Sequence, residues 1–426
     1  MRRIFIPAVT ILHALIISFC GNAQSTKRVL FIGNSYIYTN DLPAILEQIA
    51  TNMGDTLIYD ASTPGGYSFA QHLNNAITIS KIEAGNWDYV ILQEQSQIPS
   101  FPIEQVEEDC FPFAADLCEL IELNNPCAEI MFFMTWGREN GDSQNCVNWP
   151  PVCTYEGMDD LLHERYMMMA DQNDALVGAV GAVWRYIRDN NTEIELYSAD
   201  QSHPSLTGSY AAAVCFYASI FRKDPEDIMY NEGVGEGDAS FIRSTVKSVV
   251  YDHFEDWSIG TYDPVANMEW QEISELEFQF TNTSTNAETS QISFQGNTWE
   301  EWNESVVHTF SGPGMYTMGV IAISCGVADT NYYDLQVGPV NIETLDAMIR
   351  VFPNPASDVL YIKSSWSDIE YQQIEILDAK GSKVLSNVPR NQRLIELHLT
   401  TLNEGVYTVL VMTNAGTISQ RLVIIR

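Results

Sequence analysis

Strand-like and helix-like segments alternate over the first half of the chain, and this rhythm limits the fold more than any other feature. Three apolar runs have the length of strands buried on both faces of a parallel sheet, at residues 28–32, 89–92 and 129–135. Four segments carry apolar side chains at helical spacing, at residues 42–53, 159–171, 175–189 and 206–221. The alternation predicts a layered α/β fold.

The chain changes character after Lys247. Residues 248–349 contain no Lys or Arg, and short segments typical of strands replace the helical patterns. Such segments lie at residues 276–280, 306–310 and 316–324, with a Gly-Pro-Gly turn before the last. Residues 345–426 are strand-like again, but their acidic and basic side chains balance. At 426 residues, the sequence predicts an α/β domain followed by two β-sandwich domains.

The formal net charge of −35 excludes some partners. It comes from 56 Asp and Glu residues against 21 Lys and Arg residues, and residues 24–344 carry the excess. So negative a chain repels phosphate backbones and anionic lipid surfaces. We therefore expect no nucleic-acid partner.

The first residues have the pattern of a secretory signal peptide. Arg2 and Arg3 precede an apolar run over residues 4–20, and small residues stand before a cut after Ala23. A permanent membrane anchor is the alternative, but the run is short for a span. We expect residues 1–23 to be removed and the mature chain to have no stable membrane span.

Export to an oxidising compartment permits disulfides. Cys146 and Cys153 flank a short loop and form the first candidate pair. Cys110 with either Cys118 or Cys127 is the second candidate, and spacing alone leaves the connectivity open. Cys215 lies in an apolar helical run, which predicts a buried free thiol.

Two polar motifs lie at the ends of the α/β region. Gly33-Asn34-Ser35 follows the first predicted strand, at the edge where open α/β sheets place their ligands. Far along the chain, Asp200 stands three residues before His203, just ahead of an apolar helix. An acid so spaced can hold one imidazole nitrogen while the other faces a nucleophile. Together the motifs predict a Ser–His–Asp arrangement.

These motifs resemble the first and last sequence blocks of the SGNH/GDSL hydrolase family. The resemblance covers about residues 27–225 and implies a flavodoxin-like three-layer α/β/α domain, placed at 26–256, that cleaves esters without cofactor or metal. It implies that Ser35 is the nucleophile, His203 the general base and Asp200 its orienting acid.

The family's remaining blocks supply an oxyanion hole. Gly66, preferred to Gly65, resembles the glycine whose backbone N–H contributes. The third block departs from the family's Gly-x-Asn-Asp, because Gln93-Glu94-Gln95 follows the strand instead. Gln95 falls where the family's Asn would stand and carries the same amide donor; Gln93 is the alternative.

Both β-sandwich segments resemble known modules. Residues 265–340 resemble a PKD or Ig-like domain through the stretch around His308-Thr-Phe and Pro313-Gly-Met-Tyr316. Residues 347–426 resemble the C-terminal sorting domain of the type IX secretion system of Bacteroidota, through Val351-Phe-Pro-Asn-Pro355 and the terminal strand. This second resemblance implies transport across the outer membrane by that machinery.

The sequence therefore predicts a secreted or surface-located serine esterase of SGNH type. Its expected substrate is a small-molecule or carbohydrate ester, with acetylated polysaccharide preferred. The alternative hypothesis is a catalytically inactive adhesin or glycan-binding protein that keeps the fold without a working oxyanion hole.

Overall fold

The computed structural model describes residues 24–294, 298–338, 348–364, 369–389, 394–414 and 416–426. The predicted signal peptide lies outside the described residues. The chain divides into two compact units, one ending at Tyr262 and the other beginning at Asp263.

The first unit is built on a five-stranded parallel sheet in the order β2-β1-β3-β4-β5. Its strands are β1 (Thr26–Ile32), β2 (Thr56–Ser62), β3 (Tyr89–Leu92), β4 (Glu129–Phe133) and β5 (Leu176–Gly178). Four consecutive residues of β1, Val29 to Ile32, are fully buried, which requires cover on both faces of the sheet. The α/β class predicted from the sequence is confirmed.

Ten α-helices accompany the sheet among the described residues of this unit. They are α1 (Ser35–Tyr38), α2 (Leu42–Asn52), α3 (Phe69–His72), α4 (Ala76–Glu83), α5 (Ile103–Asp109), α6 (Phe111–Asn124), α7 (Tyr155–Gln172), α8 (Val180–Asn190), α9 (Leu206–Phe221) and α10 (Glu236–Val249). α9 is the most deeply buried, since every residue from Gly208 to Phe221 is buried. Pro43 fits the first turn of α2, where its missing N–H has no partner to lose.

One helix prediction is wrong in part. Residues 175–189 form strand β5 first and then helix α8. The short run before Gly178 is apolar throughout, and periodicity alone cannot separate so short a strand from the start of a helix. Strand β2 is absent from the sequence-based assignment; it lies at the edge of the sheet, where only two of its seven residues are buried.

The chain order of the strands creates a crevice at the carboxyl edge of the sheet. After β1 the chain crosses to β2 on one side, whereas β3, β4 and β5 extend the sheet on the other. The ends of β1 and β3 are neighbours, with Ile32 beside Leu92. Open α/β sheets bind ligands where the strand order reverses in this way. Gly33-Asn34-Ser35 follows β1 and Gln93-Glu94-Gln95 follows β3, and both segments lie at this point.

The second unit begins with a pair of antiparallel sheets, ordered β10-β7-β6 and β12-β11-β8-β9. The strands are β6 (Met268–Ser274), β7 (Glu277–Asn282), β8 (Thr289–Ser293), β9 (Glu300–Glu301), β10 (Ser305–Thr309), β11 (Gly314–Ser324) and β12 (Val327–Val337). Side chains from both sheets form one core, with Phe280, Met318 and Val320 fully buried. This is a β-sandwich.

A second pair of antiparallel sheets follows, ordered β13-β14-β17 and β16-β15-β18-β19. The strands are β13 (Ile349–Phe352), β14 (Val359–Ser364), β15 (Tyr371–Leu377), β16 (Lys383–Asn387), β17 (Leu394–His398), β18 (Gly405–Thr413) and β19 (Gly416–Ile424). Their inward residues form a separate core around Leu360, Ile374 and Val409. The predicted fold class, an α/β domain followed by two β-sandwiches, is confirmed.

The cysteines follow the sequence predictions in part. Cys146 and Cys153 form a disulfide, and Cys215 is a buried free thiol, as predicted. The second candidate pair is wrong, because Cys110 and Cys118 are also buried free thiols. Cys110 immediately precedes α6 and Cys118 lies two turns along it, about 12 Å away by helical rise, which is too far for a disulfide. No helix among the described residues is long and apolar enough to span a membrane.

Candidate active site

Ser35 is the first residue of helix α1, directly after the turn that leaves β1. Asn34 caps this helix, since its side-chain oxygen accepts a hydrogen bond from the Tyr36 N–H at 3.2 Å. The Asn34 amide nitrogen donates to the Tyr67 carbonyl at 2.9 Å. The cap therefore holds the turn at residues 33–35, named the nucleophile turn here for the predicted role of Ser35, and also ties it to the segment that contains Gly66.

The structure brings Ser35, His203 and Asp200 together in one hydrogen-bonded chain. His203 Nε2 lies 2.8 Å from Ser35 Oγ, and His203 Nδ1 lies 2.5 Å from Asp200 Oδ2. The other oxygen of Asp200 accepts the backbone N–H groups of Ser202 and His203 at 3.1 and 3.0 Å. An ionised Asp200 thus accepts a hydrogen bond from Nδ1–H and leaves Nε2 without a proton, free to take the proton of Ser35.

The surroundings of Asp200 favour its ionised form. Partial burial would raise its pKa, but the hydrogen bonds from the His203 side chain and from the two backbone N–H groups outweigh burial and lower the pKa below its ordinary value. Asp200 is therefore a carboxylate at neutral pH, as an acceptor for His203 Nδ1–H requires.

Aromatic side chains anchor the loop that carries Asp200 and His203. Tyr36 stacks on Trp136 with ring centroids 4.8 Å apart and meets His203 edge-on at 5.5 Å. The Tyr36 hydroxyl lies 2.8 Å from Ser202 Oγ, and Trp136 Nε1 donates to the Ser202 carbonyl at 3.1 Å. Sequence reasoning missed both aromatic residues, although Tyr36 stands beside the predicted nucleophile.

The two predicted oxyanion residues lie on loops beside the crevice. Gly66 is exposed and has a φ of +71°, a conformation that favours glycine. The Gln95 side-chain oxygen accepts the Gln97 N–H at 2.8 Å, and its nitrogen donates to Gln97 Oε1 at 3.2 Å. Among the described residues, neither Gly66 nor Gln95 hydrogen-bonds to Ser35, His203 or Asp200. Their role in an oxyanion hole stays a prediction.

Gln93, the alternative oxyanion donor, is occupied elsewhere. Its side chain is fully buried; the oxygen accepts the Asn34 N–H at 2.9 Å and the nitrogen donates to the Glu94 carbonyl. Gly33 must lack a side chain here, because a Cβ would lie 2.6 Å from Gln93 Oε1. Gln93 braces the nucleophile turn and presents an acceptor to it, so Gln95 is the better candidate donor.

A buried histidine supports the same turn from below. His72 Nε2 donates to the Gly33 carbonyl at 2.8 Å, and because that nitrogen carries the proton, Nδ1 accepts from the Thr78 hydroxyl at 2.9 Å. Thr78 in turn lies 2.8 Å from the Ser62 hydroxyl at the end of β2. All of these hydrogen bonds can form together only while His72 is neutral. Burial favours the neutral form and lowers the pKa of His72 to about 4.

This histidine should make stability depend on pH. Unfolded His72 binds a proton near pH 6.5 and the folded residue only near pH 4, so its contribution is complete above pH 6.5 and is lost as pH falls to 4. The loss is on the order of 3 kcal/mol. We expect the difference in thermal stability between wild type and His72→Gln to become smaller as the pH falls from 6.5 to 4. Replacement of the exposed His253 by Gln is the control. A difference that stays constant with pH would contradict the assignment.

Arg138 lies at the carboxyl edge of the sheet, after β4. It pairs with Asp142, whose side chain is fully buried, at 3.2 Å. Asp142 also accepts from the Gln97 side-chain nitrogen at 2.7 Å and from Asn145 at 2.6 Å. The pair therefore ties the Cys146–Cys153 loop to the segment that carries Gln95.

Comparisons with known proteins place SGNH/GDSL hydrolases among the structural neighbours of the N-terminal part. A protein from Slackia heliotrinireducens, described as a candidate SGNH hydrolase, is 26% identical over 45% of this chain and 97% of its own, with a TM-score of 0.38. A DUF4886 family protein from Bacteroides uniformis is 16% identical over 54% and 95%, with a TM-score of 0.45. A candidate GDSL-like lipase from Parabacteroides merdae is 12% identical over 47% and 99%, with a TM-score of 0.36. No curated protein matches the chain in sequence.

The C-terminal part matches a family model directly. Residues 350–425 match the family described as secretion system C-terminal sorting domain, and this match confirms the sorting segment predicted from the sequence. The match indicates secretion to the cell surface or the extracellular space. It also implies that the secretion machinery is a partner of this protein. The last β-sandwich of this chain is a type IX secretion sorting domain.

Proposed function

We propose that the first unit is a serine esterase of SGNH type that hydrolyses carboxylic esters through an acyl-serine intermediate. The observation that carries the proposal is the Ser35–His203–Asp200 chain, with contacts of 2.8 and 2.5 Å, at the crevice between β1 and β3. The chain joins residues 168 positions apart in the sequence, and each nitrogen of the imidazole has a different partner. Such an arrangement activates a serine hydroxyl.

The geometry supports an ordinary two-step reaction. Ser35 Oγ attacks the ester carbonyl while His203 Nε2 takes its proton; the tetrahedral intermediate collapses and His203 returns the proton to the departing alcohol. Water then attacks the acyl-serine, His203 takes its proton, and the acid leaves as Ser35 is protonated again. The proposed donors to the oxyanion are the Ser35 N–H at the start of α1, the Gly66 N–H and the Gln95 side-chain amide.

Acetylated polysaccharide is the substrate class that we propose for this site. The sorting domain is consistent with substrates outside the cell, and the acidic first unit suits a soluble extracellular enzyme. The segment at 265–340 is proposed as a PKD or Ig-like spacer, and the catalytic region as residues 26–256. We propose that residues 1–23 are removed on export.

The proposal is tested with p-nitrophenyl acetate and a fluorophosphonate probe. We expect the wild-type protein to hydrolyse the ester and the probe to label Ser35, as located by mass spectrometry of the digested protein. Release of acetate from acetylated xylan tests the substrate class separately. A protein that neither hydrolyses simple esters nor reacts at Ser35 would instead favour the inactive adhesin or glycan-binding hypothesis.

A further inference from the structure

Glu94 is a fully buried carboxyl group next to the catalytic crevice, and the reaction outlined above does not use it. It follows β3 by two residues, between Gln93 and Gln95. A buried strand does not require an acidic residue after it. Burial of a carboxyl group raises the free energy of the folded state unless its oxygens accept hydrogen bonds. The partners of Glu94 therefore indicate what it does.

Both of its main partners are backbone N–H groups on the segments proposed to form the oxyanion hole. The Phe69 N–H lies 3.1 Å from each carboxyl oxygen, and the Gln95 N–H lies 2.5 Å from Oε1. Phe69 begins α3, three residues after Gly66, and the Tyr67 carbonyl between them is held by the Asn34 side chain. Glu94 thus joins the Gly66 segment to the backbone of Gln95.

The remaining surroundings of Glu94 are weakly polar or apolar. The Cys110 thiol and Tyr166 of α7 are the titratable groups that face it. No ion pair with Glu94 occurs among the described residues. Burial raises its pKa to about 8, against the opposing effect of the N–H donors and the thiol.

We propose that Glu94 is a positioning residue of the oxyanion hole, which fixes the Gly66 segment and Gln95 relative to each other by accepting both backbone N–H groups. This inference rests on the proposed esterase function. The contact also gives the acid between the two glutamines a distinct role: Gln93 braces the nucleophile turn, Glu94 braces the two donor segments, and Gln95 carries the proposed side-chain donor. The ionised group accepts both N–H bonds more strongly than the neutral acid.

The test compares Glu94→Ala and Glu94→Gln with wild type and with Asp55→Asn. Asp55 is a matched control, because it is also a buried carboxyl that accepts a backbone N–H, from Ser25 at 2.9 Å, but it lies before β2 at the opposite edge of the sheet. Its loss should lower thermal stability and leave kcat unchanged. Each full-length protein is assayed with p-nitrophenyl acetate over about pH 6 to 9.5, and folding is checked by thermal unfolding.

We expect Glu94→Ala to lower kcat by about 10- to 100-fold with little change in KM, since misplaced oxyanion donors affect the transition state more than substrate binding. We expect kcat of wild type to rise across about pH 8 as Glu94 ionises, and Glu94→Gln to lack that rise. The glutamine variant should approach wild type near pH 6, where Glu94 is itself protonated.

Parallel pH profiles for wild type and Glu94→Gln would overturn the inference, and so would a folded Glu94→Ala variant with the wild-type kcat. If the alanine variant does not fold, the glutamine profile alone decides. These outcomes leave the esterase proposal intact as long as wild type is active. Absence of hydrolysis by wild type overturns the proposed function instead.

Discussion

Replacement of Ser35 by alanine is expected to lower kcat for ester hydrolysis by about 10⁴- to 10⁶-fold, as loss of the nucleophile does in other serine hydrolases. The side chain has a single described partner, His203 Nε2 at 2.8 Å. The cap of α1 is supplied by Asn34, so removing Oγ takes away the reacting atom and leaves the turn in place. KM should change little because the surface around Ser35 is retained.

The measurement is steady-state hydrolysis of p-nitrophenyl acetate, with Ser244→Ala as the control. Ser244 is an exposed residue of α10, outside the crevice, and its loss should leave the rate unaltered. If Ser35→Ala and wild type hydrolyse the ester at the same rate, Ser35 is not the nucleophile and the proposed mechanism fails.

Replacement of Asp200 by asparagine is expected to lower kcat by about 10⁴-fold, although the shape of the side chain is preserved. One oxygen of Asp200 is held by the N–H groups of Ser202 and His203, and the other faces His203 Nδ1. An asparagine should keep its oxygen on the two backbone donors and turn its NH₂ group toward Nδ1. His203 would then carry its proton on Nε2, where it cannot accept the proton of Ser35.

This loss should appear in kcat and kcat/KM alike, since the tautomer matters in the transition state rather than in substrate binding. Asp189→Asn, at the exposed end of α8, is the control for removal of one negative charge. Thermal unfolding of Asp200→Asn should resemble that of wild type. A variant that retains most of the wild-type kcat would show that Asp200 does not set the state of His203.

Much of the fold follows from local patterns in the sequence. The apolar run of β1 and the buried helix α9 were both predictable, because each element is apolar enough to specify its own burial. The period-two segments after Lys247 likewise predict sandwiches, and the sheets of the second unit form them. Strand β2 and strand β5 escaped prediction because strand pairing, which no local pattern shows, makes them strands.

The candidate site was likewise predictable from the sequence only in part. The spacing of Asp200 and His203 already places the acid within reach of the imidazole, since three residues at a turn suffice for that contact. Glu94 and His72 were beyond sequence reasoning. Each acts through backbone groups, the N–H groups of Phe69 and Gln95 for Glu94 and the Gly33 carbonyl for His72, and a backbone group has no signature in the side chains of a sequence.

By itself, the sequence determined the α/β class, the β-sandwich segments and the sorting domain, and it predicted Ser35, His203 and Asp200 as the candidate catalytic residues, because these depend on periodicity, composition and short motifs. Only the tertiary structure decided that Ser35 meets His203 across 168 residues, that Gln93 turns inward to the nucleophile turn, and that Glu94 joins two loops. Those contacts arise where the strand order reverses at β1 and β3, and strand order is set by the packing of the whole sheet rather than by any one segment.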